Sequence, residues 1–243
     1  MIAKLRELWE EAFQEPADFT DLFFTAVFSP DRFHCIQENG VPVSALYWFD
    51  CHLDGQKLAY IYAVATLKSH HGKGFARRLM TEAHSILKSQ GYAGVILVPA
   101  GKDLFGMYEK MGYRTATTVT RIPCEQGDSP VAIREITPEE YTRLRRTYLP
   151  EGGVEQDGQC MTFLQGYCRF YAGEDFLLIG EGKEDFFFSQ ELLGNTRAAP
   201  GILRALGFPR GRFRTPGKDS DFAMWLPLQA DCPKPAWFGL ALD

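Results

Sequence analysis

Apolar residues recur along the first half of the chain with two different periods, and the points where the period changes mark out the elements. Ile2, Leu5, Trp9 and Phe13 fall at helical spacing among Lys4, Arg6, Glu7, Glu10 and Glu11, which predicts an amphipathic helix. Asp18 to Phe28 offers a second helix opened by an acidic cap. Phe33 to Glu38, Val41 to Leu53 and Leu58 to Leu67 are strand-like runs. Asn39-Gly40 and Asp54-Gly55 join them as tight turns, so the three read as an antiparallel meander. From Phe75 the period becomes helical through Leu79, Ala83, Ile86 and Leu87 and stops at Gly91. Ala93 to Val98 reads as a buried strand, Leu104 to Met111 as a helix closed by Gly112, and Tyr113 to Ile122 as a further strand.

Glu125-Gln126-Gly127-Asp128-Ser129-Pro130 is polar and turn-rich, and it predicts a boundary between domains at residues 1–125 and 130–243. Beyond it, Phe186 to Leu193 reads as a strand and Ala198 to Leu206 as a helix closed by Gly207-Phe208. Aligned on the glycine, Ile202-Leu203-Arg204-Ala205-Leu206-Gly207-Phe208 echoes Met107-Tyr108-Glu109-Lys110-Met111-Gly112-Tyr113, as an eroded second copy would. In that alignment Leu203 stands opposite Tyr108, and Glu191 falls near the place of a phosphate loop.

Composition narrows the function. A net charge of -5 and a pI near 5.6 argue against nucleic-acid binding, which needs clustered Lys and Arg. The longest strongly apolar stretch, Ala59 to Leu67, is too short to span a membrane, and the charged residues of the first thirteen positions leave no signal-peptide core. The six cysteines lack any CxxC pair, so neither a zinc site nor a disulfide framework is indicated, and a cytoplasmic location fits. His70 and His71, adjacent and without a nearby carboxylate or cysteine in sequence, make a poor metal pair; no metal is expected.

The one basic cluster coincides with the one glycine-paired turn. His71-Gly72-Lys73-Gly74-Phe75-Ala76-Arg77-Arg78 lies between a strand and a helix, where backbone N–H groups at the helix start lack intrahelical partners and the dipole favours an anion. A Walker loop would need Ser or Thr after Lys73, where Gly74 stands, and a glycine at Leu67. A dinucleotide-binding turn would need a third glycine at Arg77 and a parallel βαβ setting, which the antiparallel meander does not suggest.

The turn resembles that of the GNAT acyltransferase superfamily, whose loop reads Gln or Arg, two residues, Gly, one residue, then Gly or Ala. Gly74 and Ala76 match, and His71 departs from the first position. The strand Tyr60 to Thr66, the strand ending at Val98-Pro99-Ala100 and the helix Leu104 to Tyr113 fall in the family's order over residues 1–123. The resemblance implies an α/β (α+β) GNAT fold, a mixed, mostly antiparallel twisted sheet flanked by helices, followed by a second, smaller GNAT-like domain that walls the acceptor cleft. The two-copy layout is similar to the enhanced-intracellular-survival acetyltransferases. It implies acetyl-CoA as cosubstrate, its pyrophosphate on His71, Gly72, Lys73, Gly74, Phe75, Ala76 and Arg77, and its pantetheine arm along Val64, Ala65 and Thr66.

Tyr108 occupies the family's proton-donor position, and a phenol suits a thiolate leaving group. Where several members carry a Glu base, this chain has Tyr60; Asp50 and His52 are substitutes, and either also reads as a solvated edge residue. Phe19, Phe23, Phe24, Phe28, Tyr47, Trp48 and Tyr62 read as core or as an aromatic acceptor pocket. The expected activity is N-acetylation of a primary amine of a small molecule or peptide, with a second copy of the chain as homodimer partner and neither nucleic acid nor membrane involved. The competing reading is a CoA-binding sensor or interaction module without turnover.

Overall fold

The amphipathic period of the first residues forms α1 (Ile2–Phe13), which buries Leu5, Leu8 and Trp9. The second helix is shorter than expected. Helix α2 (Ala17–Leu22) passes into a π-turn at Phe23–Val27, closed by the Phe28 amide donating to the Phe23 carbonyl at 2.8 Å. The extra residue sets Phe23 and Phe24 both against Trp9, with ring centroids 4.6 and 5.7 Å away.

The meander forms as β1 (Phe33–Glu38), β2 (Val41–Leu53) and β3 (Gln56–Thr66), all antiparallel. Both turns have two central residues at positive φ, Asn39 and Gly40, then Asp54 and Gly55, the geometry a two-residue hairpin loop requires. Then come α3 (Phe75–Ser89), β4 (Gly94–Leu97) and α4 (Lys102–Glu109). Strand β4 pairs parallel with β3, so β3, α3 and β4 do make the parallel βαβ unit that the meander did not suggest. The missing third glycine at Arg77 still separates this turn from a dinucleotide loop.

The remaining elements are β5 (Arg114–Thr115), β6 (Thr118–Glu125), β7 (Ile133–Ile136), α5 (Pro138–Tyr148), β8 (Glu155–Gln156), α6 (Gln159–Gln165), β9 (Arg169–Gly173), β10 (Phe176–Lys183), β11 (Phe186–Gly194), α7 (Ala199–Leu206), β12 (Arg210–Pro216), β13 (Ser220–Asp221) and β14 (Met224–Pro227). In this computed structural model, which describes residues 1–242, the chain divides into two compact units. One contains Met1–Arg114, Gly158–Phe163 and Met224–Pro233; the other contains Thr115–Asp157, Leu164–Ala223 and Lys234–Asp243. The division therefore departs from the boundary expected at residues 125–130. The strand expected at Tyr113 to Ile122 is broken into β5 and β6, and β6 pairs with β12 in the second unit's sheet because its seven-residue ladder there outweighs its place in sequence. In exchange, β14 returns to pair antiparallel with β4.

In the first unit, strands run β1-β2-β3-β4-β14. Ala59, Ile61, Val95 and Leu97 pack on one sheet face against Leu79, Ala83 and Leu87 of α3. Tyr60, Tyr62 and Phe49 occupy the other, in ring contact with Trp9, Phe23 and Phe163.

The second unit's sheet runs β13-β6-β12-β11-β10-β9-β7. Its antiparallel strands β9, β10 and β11 lead through α7 into β12, which is parallel to β11. That order repeats β1, β2, β3, α3 and β4, so α7 corresponds to α3. The alignment of α7 on α4, and with it Leu203 on Tyr108, does not hold. Its origin is a shared helix end. The amides of Tyr92, Tyr113 and Phe208 donate to the carbonyls of Leu87, Tyr108 and Leu203 at 3.1, 3.1 and 3.0 Å, each behind a glycine at positive φ. Gly91, Gly112 and Gly207 thus end three helices in one way, by local backbone chemistry alone.

Glu191 also differs from expectation. It is fully buried, its carboxylate accepting from Arg145 Nε and Nη2 at 2.6 and 2.9 Å, Tyr141 Oη at 2.9 Å and Trp237 Nε1 at 2.7 Å. It is the partner of a buried cation rather than a charge beside a phosphate loop.

Candidate active site

A bulge in β3 opens the site. Ala45 pairs with Ala65 and Tyr47 with Tyr62, so Ala63 and Val64 together face Leu46, and Ala63 takes φ 50°. The parallel ladder between β3 and β4 covers only Leu58 to Tyr60 against Gly94 to Ile96. Beyond it the two strands part, and a cleft of about 770 Å³ lies there.

Val64 and Thr66 of β3 line one side of the cleft, and His71, Gly72, Gly74, Phe75, Ala76 and Arg77 line its head. Ala65 is buried beside it, and Lys73 is exposed on the same turn without lining it. Gly72 and Gly74 have φ of 72° and 83°, and a Cβ built on either would meet no atom within 4 Å. The glycines are demanded by the backbone path and leave the space before the helix open. Helix α3 begins with the Arg78 amide donating to the Gly74 carbonyl at 3.0 Å, so the amides of Phe75, Ala76 and Arg77 precede the helical ladder. No side chain caps this end. A diphosphate fits such a cradle.

His71 replaces the family's Gln or Arg by tying the turn to the strand, its Nε2 lying 2.8 Å from the Thr66 carbonyl. Arg78, by contrast, is committed: its Nε donates to Glu82 Oε1 at 2.7 Å. Arg77 and Lys73 form no ion pair among the described residues, which leaves them as countercharge.

Helix α4 supplies the opposite wall through Asp103, Leu104, Met107 and Tyr108. Sequence reasoning singled out only Tyr108, although the i, i+3, i+4 spacing of Leu104, Met107 and Tyr108 already put all three on one face. Tyr108 is 6% exposed, and its hydroxyl has no hydrogen-bond partner among the described residues. Burial pushes its phenol up to about 12. Its ring stands edge-on to Tyr113 at 5.7 Å, and the Tyr113 hydroxyl lies 2.8 Å from His84 Nε2.

Burial pulls the His84 imidazole down to about 4. Because the folded value lies below the unfolded one near 6.5, the unfolded chain binds the proton first as pH falls. Stability should therefore be complete above about pH 6.5 and decline by roughly 1–3 kcal/mol towards pH 4. Urea melts across this range should show the decline, and His84→Gln should flatten it; an unchanged slope in the variant would assign it to other groups.

The substitutes for a base do not reach the cleft. Asp50 accepts from Arg32 Nη2 at 2.7 Å and from the Tyr92 hydroxyl, with Lys57 Nζ 3.6 Å away. Burial opposes its ionisation, but the Arg32 and Tyr92 bonds outweigh it and hold the carboxyl below its usual range. Such a carboxylate is a poor proton acceptor. Neither Asp50 nor His52 lines the cleft. Asp50→Asn should lower stability by roughly 1–2 kcal/mol and leave kcat within about threefold of wild type. The aromatic residues are core: the space at Phe23, Phe28, Tyr47, Trp48 and Phe49 is about 10 Å³, too little for an acceptor.

Residues 2–116 match the family described as the acetyltransferase (GNAT) domain. No protein of curated function matches the chain in sequence. Among solved structures, a GCN5-related N-acetyltransferase from Kribbella flavida superposes with a TM-score of 0.70 at 14% identity, over 94% of this chain and 70% of that one. Eis1 from Mycobacterium abscessus gives 0.66 at 13%, over 93% and 71%. A tandem GNAT protein from the clavulanic acid biosynthesis pathway gives 0.56 at 11%, over 95% and 96%. At these identities the likeness is one of fold. Residues 2–116, with the bulged third strand and the glycine turn at the start of α3, therefore form an acetyltransferase (GNAT) domain, and the chain as a whole shares the fold of GNAT proteins, tandem ones included.

Proposed function

We propose that the chain is an N-acetyltransferase that moves an acetyl group from acetyl-CoA to a primary amine of a small molecule or peptide. The observation that carries this reading is the meeting, in one cleft, of the amide-rich start of α3, the edge of β3 at Val64 and Thr66, and Tyr108. Gly72, Gly74 and the amides that follow would hold the pyrophosphate, with Arg77 and Lys73 as countercharge. Val64, Ala65 and Thr66 offer main-chain groups to the pantetheine arm.

Acetyl-CoA supplies an acetyl group activated as a thioester. As the free amine bonds to the carbonyl carbon and the carbon–sulfur bond breaks, Tyr108 would give its proton to the departing sulfur. The proton lost by the nitrogen, carried through water, restores the phenol, so no dedicated base is required. None of the six cysteines is joined in a disulfide among the described residues. Among the described residues, no helix is long and apolar enough to cross a membrane.

The second reading, a CoA-binding module without turnover, draws on Tyr60, a ring only 3% exposed where several family members carry a Glu base. One pair of measurements separates the two. Calorimetry should give one acetyl-CoA per chain, and thiol release should appear with some member of a panel of polyamines, aminoglycosides, amino acids and peptide amino termini. Binding without release throughout would favour the module, and no binding would sink both readings.

A further inference from the structure

Nothing at the tip of Tyr108 aims it. Its hydroxyl bonds no described residue, so the direction of the ring is left to the end of α4 and to the packing around it. One residue that the proposed reaction does not use bears on both. Tyr113 donates its amide to the Tyr108 carbonyl at 3.1 Å and stands edge-on to the Tyr108 ring, with centroids 5.7 Å apart and planes at 66°. Tyr113 is only 2% exposed, and its own hydroxyl lies 2.8 Å from Nε2 of His84 on α3.

The helix end does not account for that hydroxyl. Phe208 ends α7 behind Gly207 with the same backbone bond, at 3.0 Å, and carries no hydroxyl. Taking a phenol oxygen into the core costs desolvation that a phenylalanine would not incur, and the bond to His84 only offsets it. What the hydroxyl adds is a tie between two helices.

Among the described residues, the contact of Tyr113 with His84 is the one side-chain hydrogen bond between α3 and the segment 102–113. Helix α3 carries the glycine turn at its start, nine residues and about 13 Å before His84, and α4 carries Tyr108. A thioester held by its pyrophosphate on α3 meets a phenol on α4 in a geometry set by the spacing of the two helices, and an error of about 1 Å there can cost about a hundredfold in rate. Burial pulls the His84 imidazole down to about 4 and pushes the Tyr113 phenol up, so the tie joins two uncharged groups at neutral pH. Neither residue lines the cleft.

We propose that Tyr113 and His84 are positioning residues, which hold the Tyr108 ring in a fixed place relative to the start of α3. The inference rests on the reading of Tyr108 as proton donor. It assigns the pair no contact with substrate, only a hold on the residue that has one.

Steady-state kinetics on the full chain, with an acceptor that releases thiol and with acetyl-CoA affinity measured by calorimetry, tests this. Tyr113→Phe keeps the ring contact and removes the hydroxyl, so kcat should fall about tenfold while the Kd for acetyl-CoA stays within about twofold. His84→Leu should do the same, and His84→Gln, whose amide can meet the Tyr113 hydroxyl, should recover most of the loss; this pair carries the comparison should Tyr113→Phe not fold. In a chain already carrying Tyr108→Phe, Tyr113→Phe should cost no further kcat, an outcome that a general loosening of the fold would not give. A Tyr113→Phe kcat within about twofold of wild type, an equal loss of acetyl-CoA affinity, or a full further loss beside Tyr108→Phe would overturn the proposal. If wild type shows no turnover, or Tyr108→Phe leaves kcat unchanged, the donor reading itself fails and the positioning pair falls with it. A defect in Tyr108→Phe without one in Tyr113→Phe removes the pair alone.

Discussion

Replacing Tyr108 by Phe should lower kcat by about a hundredfold or more while acetyl-CoA affinity stays nearly unchanged. The substitution keeps the ring, its edge contact with Tyr113 and the wall it gives the cleft, and removes only an oxygen that bonds no described residue. What disappears is the proton for the departing sulfur. Because burial holds the phenol protonated up to about pH 12, Tyr108 should add no falling limb below that pH; the rate should instead rise as the acceptor amine loses its proton. A variant kcat within about threefold of wild type, with chemistry shown to limit turnover, would place the donor elsewhere.

Gly74→Glu should weaken acetyl-CoA binding by at least about a hundredfold, equivalent to roughly 2.8 kcal/mol. Position 74 is exposed, and a Cβ there meets no protein atom, so the fold tolerates the side chain apart from about 1–2 kcal/mol for a non-glycine residue at φ 83°. The carboxylate then stands where the α3 amides draw an anion, and it both fills the cradle and repels a diphosphate. Gly74→Ala separates the terms, since it adds the strain without the charge and should lose much less affinity. A folded Gly74→Glu protein with wild-type affinity would remove the turn from the binding site.

The turn at Gly74 and the helix that carries Tyr108 to the cleft were legible because their signals are local. Asn39-Gly40 and Asp54-Gly55 announce hairpins through positive φ, and the glycine turn announces an anion site through its place between a strand and a helix. The bulge was not legible. Ala63 takes positive φ without being glycine, and only its pairing with β2 imposes this. The assignment of β6 to the second sheet and the return of β14 to the first were hidden for a related reason, because strand partners far apart in sequence leave no period to read. Asp50 looked available because Arg32, Lys57 and Tyr92 approach it through the fold. The misplaced echo between α4 and α7 has the opposite cause: a glycine followed by an aromatic residue ends a helix well wherever it occurs, and so imitates descent.

The return of β14 also bears on how the first unit is made. Strand β4 holds one neighbour, β3, as soon as residues up to Leu97 have left the ribosome, but its other neighbour begins at Met224, about 130 residues later. At roughly 5–20 residues per second, one edge of a strand whose four residues are all buried in the native state waits many seconds without its partner. During synthesis the unit that carries the cleft is therefore an open sheet whose β4 edge stays unpaired until residues 224–227 emerge.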